Sequence, residues 1–509
     1  MKYCCLLLCF VITCIVSGQA IALPTGLDSS FGTNGIVTYT TPPTYGSNYN
    51  AIVIQPDGKI VAAGGAILNA VVARYLPNGT LDNTFSVQGK YIRPYTPNGF
   101  ALLDLALQSD GKIVVGGQTY SNQTHDDFAL IRLNSNGNID STFGDSGVVT
   151  TNVSMSGSSM DYLKVITLQP DGKIIAVGTT YNTLALIRYW PAGAIDSSFG
   201  TYGRVVTGTG SYGAEIGDVA IQPDNKIVVG IEAYDATNTR SFACVRYLPD
   251  GTLDTTFNHT GISYIQTGGL AYVHTMQLQP DGRILLGGAA SNDLKLLRLK
   301  ANGSTDSSFG VNGIATADTC IASCMVLRSD GKIVVGGYTN SNNEDFAVMQ
   351  FKPNGSLDTA FGQQGKIFTP IGPGNERMED MKLQADGKIV ACGRSQKNST
   401  SSGGDINAVI VRYQSDGRLS VINPPDVAAA QDITVYPIPA VDALHITNRS
   451  NYTITDAVLY TTDGRMIECP PMYHNTISTV QLPNGVYLLQ LQLSSYPQIP
   501  VMRKIIVYH

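Results

Sequence analysis

Three aspartates occupy one place in different copies of a repeated segment. Asp104, Asp218 and Asp380 each stand six residues before the Asp of a tight turn, where the other copies carry Ala51, Val165, Thr275 and Cys324. Carboxylates gathered by repeat symmetry could hold a hard cation such as Ca²⁺, which takes oxygen ligands. The plain alternative is that each accepts hydrogen bonds from nearby backbone amides. No other cofactor is expected. A second set of candidates lies in segments of irregular length: Tyr45, Tyr49, Tyr120, His125, Asp126, Tyr212, Glu215, Tyr234, Asp235, Tyr338 and Glu344. Tyrosine among small polar residues makes an adaptable contact surface for a sugar or a protein; long surface loops are also simply polar. No HExxH, nucleophile elbow or phosphate loop is present, so catalysis has no positive sign.

The elements that position these residues are repeats. The turn at Asp57-Gly58-Lys59 recurs at Asp110, Asp171, Asp224, Asp281, Asp330 and Asp386. A second motif, LDSSFGTNG from Leu27, recurs with its Phe at 85, 143, 199, 257, 309 and 361. A third places Arg at 74, 132, 188, 246, 298 and 412, with Gln350 in the remaining copy. Positions three and five before each turn Asp are apolar throughout, the period of a strand with one buried face. Each unit reads as four short strands, and stacking such units around a ring buries faces that a lone sheet leaves wet. The expectation is an all-β chain with a seven-bladed β-propeller over 23–420. The N-terminal strand near Ile36 would complete the last blade and close the ring. The distance from the third motif to the next Phe is constant, and so is the turn; the other two connections vary. Antiparallel strands alternate direction, so all the variation falls on one rim, where recognition is expected. The periodic Asp and Arg residues are expected to hold the blades together.

These motifs resemble the delta-60 repeat family of bacterial secreted proteins, over about residues 27–418. The resemblance implies a propeller and brings no known activity. Asn225 for Gly, Thr305 for Leu and Gln350 for Arg depart from it.

The termini speak to export. Lys2, the apolar stretch Cys4 to Val16 and Ala20-Ile21-Ala22 read as a signal peptide over 1–22, with no later transmembrane segment. Of the nine cysteines, the five beyond that signal form no disulfide framework, though Cys320 and Cys324 would pair if their loop folded back. A net charge of −6 with no basic run argues against nucleic acid as a partner. Residues 421–431 read as a linker, and 432–509 as a small immunoglobulin-like β-sandwich. The latter resembles the C-terminal sorting domain of the type IX secretion system of Bacteroidota, carried by Pro437, Pro439, Asp463, Gly464, Leu482, Pro483, Gly485, Tyr487 and Lys504; Ile438 replaces the family's usual Asn. The resemblance implies the type IX export machinery as a partner and a secreted or surface-exposed product. The leading reading is an exported, non-catalytic propeller that binds a glycan or protein through its variable rim. A polysaccharide lyase or hydrolase and a structural adhesin are the alternatives.

Overall fold

The computed structural model describes residues 26–39, 46–66, 69–94, 99–121, 125–154, 159–209, 213–234, 239–341, 343–396, 406–417, 433–448, 454–461, 466–467, 472–473, 475–493 and 496–509. The expected signal peptide and linker, together with Tyr45, Tyr212, Asp235, Asp463 and Gly464, lie outside them, as does the side chain of His125. Two compact units emerge, the larger spanning Pro24–Ile422.

In that larger unit each turn motif joins an inner strand to the next strand of a four-stranded antiparallel blade. Blade one runs Ser47–Ile54, Ile60–Ala66, Asn69–Tyr75 and Lys90–Pro94 from inside to outside. The inner strands of blades two to seven are Phe100–Leu107, Ser159–Leu168, Ala214–Ile221, Ala271–Leu278, Cys320–Leu327 and Glu376–Leu383. Blade seven takes its outer strand from the other end of the unit. Ile36–Tyr39 pairs antiparallel with Ile406–Tyr413 in the register Ile36↔Val411 to Tyr39↔Ala408. That pairing closes the ring, as the repeat phase requires. Blades two and three are further joined by a short parallel pairing of Ser159 and Met160 with His125 and Asp126.

The turn works as its residues dictate. Gly58 adopts φ of 81°, a conformation that costs a side chain energy, and Asn225 supplies the same left-handed geometry at 63°, which Asn tolerates better than most residues.

The periodic residues form one latch in each of six blades; blade six carries Gln350 in place of the arginine. In blade one, Arg74 Nε donates to Asp82 Oδ2 at 2.8 Å and Thr84 Oγ1 donates to Asp82 Oδ1 at 2.6 Å. The Arg74 guanidinium lies 4.6 Å from the Phe85 ring centre, and its Nη1 reaches the Ser135 carbonyl of blade two at 2.6 Å. Arg132, Arg188, Arg246, Arg298 and Arg412 repeat every contact, the last reaching back to the Pro77 carbonyl of blade one. Burial opposes ionisation of Asp254, but the Thr256 hydroxyl and amide, with Arg246 and Lys226, hold its pKa at about 2. The expected structural role of these residues thus takes the form of bonds both within blades and between them.

Cys320 and Cys324 sit on one strand. Four residues of strand span roughly 13 Å, beyond the reach of a disulfide, and both are free and buried.

The C-terminal residues form a three-stranded sheet (Ile433–Tyr436, Ala443–Asn448, Thr476–Ser478) and a four-stranded one (Met466–Ile467, Ile454–Thr461, Gly485–Leu493, Tyr496–Val507). Leu444, Ile446 and Ile477 from the first pack with Leu459, Leu489 and Ile505 from the second in one buried cluster. Leu482 and Tyr487 join it, Tyr487 Oη donating to the Pro483 carbonyl at 2.6 Å. Pro437, Pro439 and Lys504 are exposed, and Gly485 is half-buried.

Candidate binding site in the channel

The seven inner strands line a central cavity of ≈ 1280 Å³. Its wall is set by a local fault repeated in every blade. In each inner strand the ladder skips one residue, seven before the turn Asp: Asn50, Leu103, Lys164, Gly217, His274, Ser323 and Glu379. A bulge of this kind re-aims the side chain it carries, and all seven line the channel. The sequence reading missed this ring. The signal was there: the apolar positions fall at three, five and then eight before the turn, a change of phase that a one-residue bulge produces. Residue eight is core in every copy, from Leu102 and Leu163 to Met378.

That phase change corrects one candidate. Tyr49 is the residue at position eight in blade one, 1% exposed, with its hydroxyl 2.7 Å from that of Tyr75. It belongs to the core and not to a contact surface.

The three aspartates lie beside the bulges. Asp104 accepts from the amides of Leu105 (2.8 Å) and Ile166 (2.8 Å), Asp218 from Val219 (2.8 Å) and Met276 (3.1 Å), Asp380 from Met381 (2.7 Å) and Ile52 (3.0 Å). Each carboxylate therefore takes one amide from its own blade and the equivalent amide from the next, tying blade two to three, four to five and seven to one. Met325 of blade six holds the remaining equivalent amide, and there Cys324 and Thr275 stand where an aspartate would have to be. Oxygens committed to two amides each explain the aspartates without a cation, and no group of three or more His, Cys, Asp or Glu among the described residues could hold a metal ion. Burial pushes Asp104 up to about 7 and Asp218 up to about 6. Lys382 donates to both oxygens of Asp380 at 2.6 and 2.7 Å. Burial works against its charge, yet Asp380, Asp104 and Asp218 raise its pKa above the usual lysine value.

Two bulge side chains also bridge blades: Asn50 Nδ2 donates to the Leu102 carbonyl at 2.6 Å, and His274 Nδ1 lies 2.7 Å from the Ala322 carbonyl. Lys164 is exposed to the channel. Two residues before the bulge, Tyr162 and Tyr272 are 39% and 36% exposed, Tyr272 with the Arg240 guanidinium 4.3 Å over its ring. Arg377 stacks 4.8 Å over Tyr338 and is gripped by both oxygens of Glu344; Arg394 stands 4.0 Å from Glu379. Tyr338 and Glu344 are thus brought to the cavity wall or beside it. Tyr120 is exposed on the rim at 41%, with Asp126 on the neighbouring strand. Glu215 is exposed and Tyr234 half-buried at strand ends on the same rim. Below that rim, Glu376 is fully buried and accepts from Ser395 Oγ (3.1 Å) and the Gly372 amide (3.2 Å). Burial lifts it to about 8, and Asp345, itself raised by burial, faces it.

Seven four-stranded blades around a channel, the last completed by the N-terminal strand, define the chain's larger unit as a closed β-propeller. Residues 55–85, 108–143, 169–199, 222–257, 279–309, 328–361 and 384–419 match the family described as "Domain of unknown function (DUF5122) beta-propeller", and residues 434–508 match "Secretion system C-terminal sorting domain". The chain is a DUF5122 β-propeller protein with a C-terminal type IX secretion sorting domain. A comparison with curated proteins finds no match. Among solved structures it is similar to a Dyadobacter fermentans protein of unknown function (11% identity, covering 75% of this chain and 99% of that one, TM-score 0.38). A Lactobacillus plantarum protein is similar at 12%, 70%, 99% and 0.39, and Drosophila Semaphorin 1b at 6%, 76%, 87% and 0.40. No helix among the described residues is long and apolar enough to cross a membrane.

Proposed function

We propose that this exported propeller is a non-catalytic binding module that docks a glycan at the end of its channel ringed by the variable connections. One observation carries the reading. Seven structurally equivalent bulge positions bear seven different residues, while the latch positions elsewhere in the blades are all but uniform. A wall that is uniform in geometry and individual in chemistry suits an asymmetric ligand. Tyr162 and the faces of Tyr272 and Tyr338 not covered by arginine are available for sugar stacking, and Lys164, Glu379 and Arg394 on the cavity wall supply hydrogen-bond partners. Tyr120, Asp126, Glu215, Tyr234 and Glu344 extend the surface outward. A glycan array probed with the mature chain, repeated with Tyr272→Ala and Lys164→Ala, tests this. Selective binding weakened by both substitutions is expected; no glycan bound, or binding indifferent to both, would sink the reading.

The hydrolase reading keeps one foothold. Glu215 and Glu232 stand opposite each other on adjacent strands, and burial lifts Glu232 to about 7 despite its ion pair with Arg240. A buried carboxyl group lifted towards neutrality and facing a second carboxyl group is the pairing that sugar hydrolysis uses. Release of reducing ends from a soluble polysaccharide, abolished by Glu215→Gln, is the outcome that would favour it. For the tail, we read the two sheets sharing one core as an immunoglobulin-like sandwich, presenting exposed Pro437, Pro439 and Lys504 to the export machinery.

A further inference from the structure

Donors and charge are spread unevenly around the bulge ring. Asn50 is committed to its neighbours, since its Nδ2 donates to the Leu102 carbonyl and its Oδ1 accepts from Asn48 Nδ2. Leu103 beside it is apolar. The arc from blade three to blade six differs. Lys164 is exposed to the cavity, and it alone of the wall's charged side chains makes neither a hydrogen bond nor an ion pair among the described residues. Every other charge there is matched by an amide, a carbonyl or an opposite charge, Glu379 by Arg394 at 4.0 Å. Blade four adds no side chain between Lys164 and His274, because a Cβ on Gly217 would meet the Val273 carbonyl at 2.9 Å. Lys164 therefore acts directly on the imidazole. Burial lowers the His274 pKa first, and the lysine charge lowers it further, against the pull of the Ala322 carbonyl. His274 Nδ1 donates to that carbonyl at 2.7 Å, so the ring, neutral at pH 7, keeps Nε2 as an acceptor. Ser323, next in the ring, brings a half-buried hydroxyl that bonds to none of the described residues.

We infer that the arc of Lys164, His274 and Ser323 is the subsite for an acidic sugar unit, one that carries a carboxylate or a sulfate. It rests on the glycan-binding reading above, and it names the class of glycan. An unpaired ammonium inside a walled channel attracts an anion more strongly than one in bulk water, because the effective dielectric there is lower. A neutral sugar would leave that ammonium without a counter-charge, and a basic one would face it directly. Beside its charged group an acidic sugar carries hydroxyls. His274 Nε2 accepts from one of them, and the Ser323 hydroxyl donates to a further oxygen. Asn50 and Leu103 on the remaining arc offer no free donor, so the charged edge of the sugar turns towards blades three to six. The chain as a whole carries a net charge of −6. Exposed charges farther off than about 8 Å are largely screened at physiological ionic strength, so the ammonium at the wall decides.

A glycan array probed with the full mature chain tests the class when it carries matched pairs among other backbones. One pair is oligogalacturonate and its methyl ester; the other is a sulfated galactan oligosaccharide and its desulfated form. Calorimetry on the hits is expected to show the charged member binding at least about tenfold more tightly than its neutral counterpart, with added salt weakening it. A response from the first pair alone assigns a carboxylate, and from the second alone a sulfate. Lys164→Glu is expected to erase the preference for the charged member, and Lys164→Arg to keep it. Lys164 bonds to nothing else in the fold, so both variants should melt with the native chain. Hits confined to neutral glycans, equal binding within the pairs, or a preference that survives Lys164→Glu would overturn the acidic subsite and leave the glycan-binding module standing. A blank array removes both.

Discussion

Asp104 shows how much a single side chain can carry when a bulge leaves backbone amides facing a channel. Truncation to Ala removes the acceptor for two amides at once, and each unsatisfied buried donor costs about 1–3 kcal/mol. The expected loss is therefore several times that of a typical surface substitution, to be read from denaturant unfolding. The same residue sets a pH dependence. Its folded pKa, about 7, lies above the value of about 4 for an unfolded aspartate. The folded chain thus binds the proton more tightly, and the stability this gives is complete below about pH 4 and lost as pH rises through about 7. The melting temperature is expected to fall between pH 5 and 8, and Asp104→Asn to flatten part of that slope. A slope unchanged in the variant would refute the assignment. The latch aspartates run the other way: Asp254, held at about 2, contributes stability that disappears only as pH falls from about 4 towards 2. Asp196 is 1% exposed and receives Arg188 at 2.8 Å. Asp196→Ala strands that buried cation, for an expected cost of about 3–5 kcal/mol.

At the scale of the strand, the fold was legible because its signals are periodic. The apolar alternation, the turn and the constant connection each appear in every copy, so seven weak indications add to one strong one. Ring closure followed from phase alone, since the chain begins with a strand that has no blade of its own. The bulge is harder to read because a one-residue insertion moves the alternation from odd to even positions, which hides that Tyr49 stands at a core position. The bridging aspartates lie next to that fault, and their partners are amides more than fifty residues away in sequence. Side chain types alone do not reveal such partners. Closure makes a further outcome checkable. The amide of Gln414 donates to the Gly26 carbonyl at 2.8 Å, so the two ends of the propeller lie side by side. Moving residues 26–39 to follow Gly417 is expected to give a chain that still unfolds cooperatively, whereas deleting them should leave blade seven open to proteolysis. Loss of cooperative melting in the rearranged chain would count against closure by that strand.

The whole molecule pairs a closed ring with a C-terminal sorting domain in a second compact unit. Deleting residues 434–508 is expected to retain the propeller inside the cell envelope without lowering its melting temperature, checked by fractionation and calorimetry on the same strain. An unaltered distribution between cells and medium would show that the tail does not direct export.

The aspartate bridges join neighbours two at a time, and seven is an odd number. Three couples account for six blades, and any such arrangement must leave one bachelor. Blade six is that remainder, and it is also where the arginine latch has been traded for glutamine. A ring with an even number of blades could be coupled throughout and would have no privileged position. Here parity breaks a near-sevenfold symmetry and gives the circle a single place from which all the others can be counted.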